Sequence, residues 1–277
     1  MDDKRKNKIS IKRIALATIC IMIASFVCFI IYQYATRNNE YYISEKNIQI
    51  PVFVYHDIVK DESEIEYDYM QTTYDTFKNQ IDGLMKMGYK PISYDELMKY
   101  SKGEIKLSKW SFVITFDDGY TGVYDYAYEY AKEKNIPITS FINNVNVGKP
   151  GYYSWEQAKE MNDSGVVGVY SHGYEHIEYD KVDAERLLND TNKAYDELKA
   201  KMDDADLLKV FTYPYGLYTS EELETLKEAG YMQNLTDNKI NKSNTLNIYG
   251  LHRCYPLSDS PFKIWIKIQY RAFRYKS

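Results

Sequence analysis

Histidine is scarce in this chain, four residues in 277, and cysteine is scarcer, with three. Cys20 and Cys28 fall in an apolar N-terminal run, so Cys254 stands alone in the remainder and no intrachain disulfide can brace it. The fold must rest on its core. From Ile14 to about Tyr34 there is no charged residue, and a run of about 20 such residues spans a bilayer as a helix. A small-residue cleavage site after that run is missing: Ala24-Ser25-Phe26 lies inside it, and neither Cys20 nor Cys28 follows a small residue. An uncleaved anchor is therefore expected rather than a cleaved signal peptide. Sequence repeats and a second folded domain are also absent.

The head of the chain carries Lys4, Arg5, Lys6, Lys8, Lys12 and Arg13 against Asp2 and Asp3. Basic flanks stay inside, which puts the rest of the chain outside the membrane. The expected organisation is a cytoplasmic basic segment over 1–13, a single-pass anchor over 14–34, a polar stalk over 35–47 and one extracytoplasmic domain over 48–277. The whole chain has a net charge of −5, which leaves −9 beyond the basic head. That balance argues against nucleic acid and anionic polymers as partners and leaves neutral or cationic polymers open. Thirty tyrosines offer faces for sugar stacking, although codon bias towards Ile, Lys, Asn and Tyr accounts for most of them.

Ser111–Tyr120, SFVITFDDGY, organises the rest. Phe112, Val113, Ile114 and Phe116 form a buried-strand pattern that stops at Asp117, Asp118 and Gly119. In parallel α/β folds ligands sit beyond the carboxyl ends of the strands. Adjacent carboxylates there repel unless a cation or proton separates their roles; as a bare turn, Asp-Asp-Gly would only cap a helix. Other strands are expected at Ile48–Tyr55, Tyr89–Ile92, Pro137–Asn143, Val166–Tyr170, Val210–Tyr213, Tyr231–Leu235 and Ile248–Leu251. The acidic stretch Lys60–Tyr69 reads as a solvated loop bordering the site. Helices open at capping boxes, Ser93 with Glu96, Ser154 with Gln157 and Thr219 with Glu222, and a last one starts at Ser260-Pro261. Helix also fits Tyr120–Asn135 and Asp183–Met202. This alternation predicts a (β/α) barrel, seven-stranded and distorted, behind one transmembrane helix.

Three of the four histidines stand in short polar motifs. His172 and His176, in SHGYEH, are four apart, a spacing that a single helical turn would bring to one side. With Asp118 they would make a His, His, carboxylate set open to water and substrate, and zinc is the simplest occupant. His56 follows the first strand.

FDDG, then SHGYEH, then YPYG, in this order, resemble the NodB-homology polysaccharide deacetylases, carbohydrate esterase family 4. The resemblance covers about Ile50 to Trp265, and VYHDI, YPYGLYT and the late Arg253 look most like the branch acting on poly-N-acetylglucosamine of biofilms. It implies a β/α barrel with a bound divalent metal, Asp117 as base, Asp118 with the two histidines as ligands, and the backbone N–H of Tyr215 as oxyanion donor between Pro214 and Gly216. The amine-protonating histidine of that branch comes early, which fits His56; His252, in Leu251-His252, is an imperfect version of the late motif used elsewhere in the family. Thr212 stands where many members carry an arginine that orients the base, and Arg253 is the expected substitute. The family's fourth motif is not recognisable, so the substrate floor is undefined; Trp155, Tyr174 and Tyr215 are the candidates for sugar stacking, and Pro214, Gly216 and His252 the other candidates for substrate binding.

The expected activity is thus metal-dependent N-deacetylation of an extracellular N-acetylglucosamine polymer, alongside other exopolysaccharide-machinery proteins. The alternatives are the same chemistry on peptidoglycan, chitin oligomers or acetylated xylan, and a catalytically silent glycan-binding barrel.

Overall fold

The structure is a computed structural model that describes residues 2–36, 38–67 and 69–274. Met1 of the basic segment, Arg37 of the expected stalk, Asp68 of the acidic loop and residues 275–277 lie outside the described residues, as do the side chains of the head up to residue 12. Two compact units divide the chain, Met1–Asn39 and Glu40–Ser277. The first holds helix α1, Asp2–Ala35. Its stretch Arg13–Ala35 is 23 residues with a mean hydropathy of 2.9, a length and composition that membrane anchors and signal sequences share.

The second unit is built on seven parallel strands: β1 Val52–Tyr55, β2 Ser111–Phe116, β3 Ile138–Ile142, β4 Val167–Ser171, β5 Val210–Thr212, β6 Met232–Thr236 and β7 Leu251–Arg253. They pair in sequence order, each parallel to the next. Every residue of β1, β2 and β3 is buried, as continuous Val, Ile and Phe runs require when both faces are covered. The ring closes just past β7, where the Cys254 N–H donates to the Val52 carbonyl at 2.9 Å and the Val54 N–H to the Cys254 carbonyl at 3.1 Å. A single bridge instead of a ladder leaves the barrel nearly closed.

Around it run α2 Tyr74–Met87, α3 Tyr94–Ser101, α4 Glu129–Lys134, α5 Trp155–Asp163, α6 Ala184–Met202, α7 Ser220–Glu228 and α8 Pro261–Arg274. All three expected capping boxes are formed, opening α3, α5 and α7. Each satisfies helix-end N–H groups from within four residues of sequence, which is why they could be read locally.

The structure departs from the sequence reading where long-range pairing decides. The first strand is cut at Pro51, which has no N–H to give a ladder; Gln49–Ile50 instead pairs antiparallel with Asn241–Lys242. Of Tyr89–Ile92 only Lys90–Pro91 pairs, with the start of β2, outside the barrel ring. The last strand begins at Leu251 because a turn occupies 247–250, with the Asn247 side chain accepting from the Tyr249 N–H and its carbonyl from the Gly250 N–H. Helix over Tyr120–Asn135 is π-helical across Val123–Tyr128 before α4. The expected stalk is shorter than 35–47: Glu40–Tyr41 pairs with Leu107–Ser108, so the folded unit already starts at Glu40.

One glycine is demanded by close approach. A Cβ on Gly122 would lie 1.9 Å from the Ile58 carbonyl oxygen, against backbone just beyond β1. Gly122→Ala should therefore destabilise the unit by about 1–3 kcal/mol, the usual cost of overpacking. Chemical denaturation followed by fluorescence checks this, and an unchanged midpoint would contradict the packing described.

Candidate active site

Each barrel strand hands over to a polar residue at its carboxyl end. His56 follows β1, Asp117 and Asp118 follow β2, His172 follows β4, Tyr213–Gly216 follows β5, and Arg253 closes β7. Side chains from this rim line a cavity of about 480 Å³ that contains His56, Asp117, Asp118, His172, His176, Tyr215 and Gly216.

Asp118, His172 and His176 converge, their ligand atoms all within 4.8 Å of one another. His172 Nε2 is 3.4 Å and His176 Nε2 3.2 Å from Asp118 Oδ1. The spacing of the two histidines does not work as expected, because residues 172–176 form a loop and not a helical turn. Two left-handed positions fold the loop back: Gly173 at φ +86° and His176 at φ +56°. Asp118, at φ +73°, and Tyr215, at φ +59°, also sit in this region that L-residues seldom adopt. Such strain persists only where the surroundings impose it.

The donor set fits a cation. His172 Nδ1 lies 2.9 Å from the Thr212 carbonyl, which can only accept, so Nδ1 carries the proton and Nε2 turns a lone pair towards Asp118. Burial lowers the His172 pKa to about 4, against the pull of Asp117 and Asp118. A neutral imidazole is the form that ligates. Burial pushes the Asp118 carboxyl up, but a hydrogen bond from His176 and the neighbouring imidazoles outweigh it, leaving it below the usual carboxylate range.

Asp117 has a partner of its own. Arg253, fully buried, donates from one terminal nitrogen to Oδ1 at 2.7 Å and from the other to Oδ2 at 2.8 Å. The second nitrogen also reaches Thr236 Oγ1 at 2.8 Å. Burial raises the Asp117 pKa and the Arg253 charge more than offsets it, so the carboxyl is held ionised below its ordinary value. The guanidinium thus comes from the end of β7, while Thr212 stands on β5.

Not every candidate reaches the cavity. His252 alternates with Leu251 and Arg253 on β7, and both of those are buried, so its ring points outward. There it pairs with Asp237 at 2.9 Å and lines a separate cavity of about 580 Å³. Trp155 is turned against the core at the start of α5, with Lys201 Nζ over its ring at 5.6 Å. Tyr174 is covered by Lys193 Nζ, 3.5 Å from its ring centre, and Pro214 is buried beneath its turn. Of the expected substrate-binding residues Tyr215 and Gly216 line the cavity. Beside them stand Tyr69, Met70, Tyr255 and Leu257, which the sequence reading did not single out. Tyr255 stacks parallel to His56 at 6.1 Å. Its place just past a barrel strand was the available signal; Tyr69 closes the loop that was read as bordering the site.

Comparison with known proteins bears on the fold and the family. Residues 104–233 match the family model described as polysaccharide deacetylase. A poly-beta-1,6-N-acetyl-D-glucosamine N-deacetylase of Staphylococcus aureus is 28% identical over 204 residues, 69% of this chain and 69% of that protein. IcaB from Ammonifex degensii superposes with a TM-score of 0.70 at 26% identity, over 80% of this chain and 97% of that one. The Streptococcus pyogenes deacetylase PplD, solved in complex with acetate, shares the fold, with a TM-score of 0.72 at 20% identity over 80% and 99% of the two chains. The scaffold is therefore the NodB-type (β/α) barrel. Over residues 104–233 the chain is similar to the polysaccharide deacetylases, a family of hydrolases.

Removing one member of a buried ion pair strands the other. Arg253→Ala should cost about 3–5 kcal/mol, and that cost should shrink sharply in an Asp117→Asn background. A double-mutant cycle by chemical denaturation checks the coupling; additive effects would contradict the pairing.

Proposed function

We propose that this protein is a metal-dependent N-deacetylase of an N-acetylglucosamine polymer of the poly-β-1,6 type, held at the outer face of the cell membrane by α1. The observation that carries the reading is the convergence of Asp118, His172 and His176 beside a second carboxylate, Asp117, that is separately neutralised by Arg253. The polymer is argued from the Staphylococcus aureus relative, whose name gives that substrate, and from the early position of His56. The barrel alone would serve peptidoglycan, chitin or xylan equally.

An acetamide resists hydrolysis because its carbonyl is a weak electrophile and its amine a poor leaving group. A divalent cation held by Asp118, His172 and His176, with zinc as the assignment, would supply polarisation of the acetyl oxygen and acidification of the attacking water. Asp117 accepts the proton that water loses. Arg253 fixes both of its oxygens, so the accepting form is populated at neutral pH and cannot rotate away from the cavity. The backbone N–H of Tyr215 donates to the oxyanion as it forms, and the left-handed turn at Tyr215 and Gly216 sets its direction. His56, which also lines the cavity and stacks on Tyr255, delivers a proton to the departing amine. The exposed rings of Tyr69 and Tyr215, 68% and 63% accessible, offer flat apolar faces to neighbouring sugar units. Proteins that make or export the polymer are the expected partners at the membrane.

The test pairs metal analysis of the purified chain with acetate release from β-1,6-linked poly-N-acetylglucosamine, chitin oligomers, peptidoglycan and acetylated xylan. Activity should vanish on chelation, return with Zn2+ and be highest on the first polymer. Asp117→Asn should keep its metal and lose about 10²-fold or more in rate. Acetate release indifferent to chelation would overturn the metal reading, and preference for another polymer would overturn the substrate.

A further inference from the structure

The loop that carries both histidines has no helix or strand of its own, so its main chain must find partners elsewhere. At Tyr174, midway between the two, both backbone groups do so. The carbonyl accepts from the Val145 N–H at 3.1 Å. The N–H donates to Oδ2 of Asp190, on α6, at 2.7 Å. That same oxygen accepts the Tyr179 hydroxyl at 2.5 Å.

Asp190 is 2% exposed and does not line the cavity. Its other oxygen is buried without a hydrogen-bond partner. The nearest cation is Arg186, one turn earlier on α6, whose guanidinium stands 4.0 Å away while donating to Glu175 of the same loop. The approach is tight: a Cβ on Gly173 would lie 2.3 Å from the Tyr179 hydroxyl oxygen and 3.3 Å from Asp190 Oδ2. An apolar side chain could fill this space without the desolvation that a half-satisfied carboxylate suffers. What the carboxylate adds is direction, because it fixes one N–H between two residues in left-handed backbone conformations, Gly173 and His176.

We propose that Asp190 is a positioning residue for the candidate metal centre: by holding the Tyr174 N–H it sets where His176 meets His172 and Asp118. This rests on the metal reading of that centre. Loosening the loop leaves three donors in the chain but no longer pre-assembled, so the cation must order them on binding. Loss of an outer contact of this kind weakens metal affinity about 10- to 100-fold.

The full chain in detergent is titrated with Zn2+ against a chromogenic chelator, and the melting of the metal-free protein is recorded alongside. Asp190→Ala should bind Zn2+ at least about tenfold more weakly while keeping a cooperative melt. Asp190→Asn, which retains an oxygen for the Tyr174 N–H, should recover to within about threefold of the original. An alanine variant that binds like the original, or an asparagine variant as weak as alanine, overturns the proposal. If the alanine variant does not fold, Tyr179→Phe decides: weaker Zn2+ binding supports the role, and unchanged binding overturns it. An original chain that takes up no Zn2+ refutes the metal reading itself, a result distinct from both.

Discussion

Two adjacent carboxylates buried at one strand end repel each other, and everything at this rim follows from how that repulsion is relieved. Asp117 is answered by a guanidinium with two parallel bonds; Asp118 faces two imidazoles, a donor set that could hold a cation. Neither answer is available locally. Arg253 stands 136 residues from Asp117 along the chain, and His172 comes from β4, two strands away from β2. The nearly closed ring of parallel strands brings these distant ends to one point, so the barrel and the charge arrangement support each other.

The same closure explains the division of labour between the carboxylates. Asp117 is locked by a permanent charge and held ionised, while the position beside it has a donor set that could hold a removable one. Strain is concentrated where that arrangement is tightest. Asp118, His176 and Tyr215 all take left-handed backbone conformations, and all three line the cavity.

Much of this was legible in the sequence for a physical reason. Strand ends are marked by an abrupt change from apolar to polar, as at Phe116-Asp117, and helix starts by side chains that satisfy their own N–H groups, as at Ser154 with Gln157. These signals are local. What could not be read depends on partners far away in the chain. Gln49–Ile50 leaves the first strand to pair with Asn241–Lys242, His172 and His176 meet through a loop held by α6 and not through helical spacing, and the outward turn of His252 follows from the register of β7. Arg253 was reachable only through the family resemblance, since threonine stands two residues before Pro214 where many members carry the arginine. Trp155 and Tyr174 show the opposite case: aromatic type said nothing about which way the ring faces.

The central claim is that one carboxylate and two imidazoles bind a single cation at the carboxyl rim of the barrel. X-ray absorption on the Zn2+-loaded chain addresses it most directly, because outer-shell scattering from imidazole rings counts histidine ligands. Two imidazoles are predicted, falling to one in His176→Ala. A spectrum of oxygen ligands alone, or one unchanged by that substitution, would contradict the account.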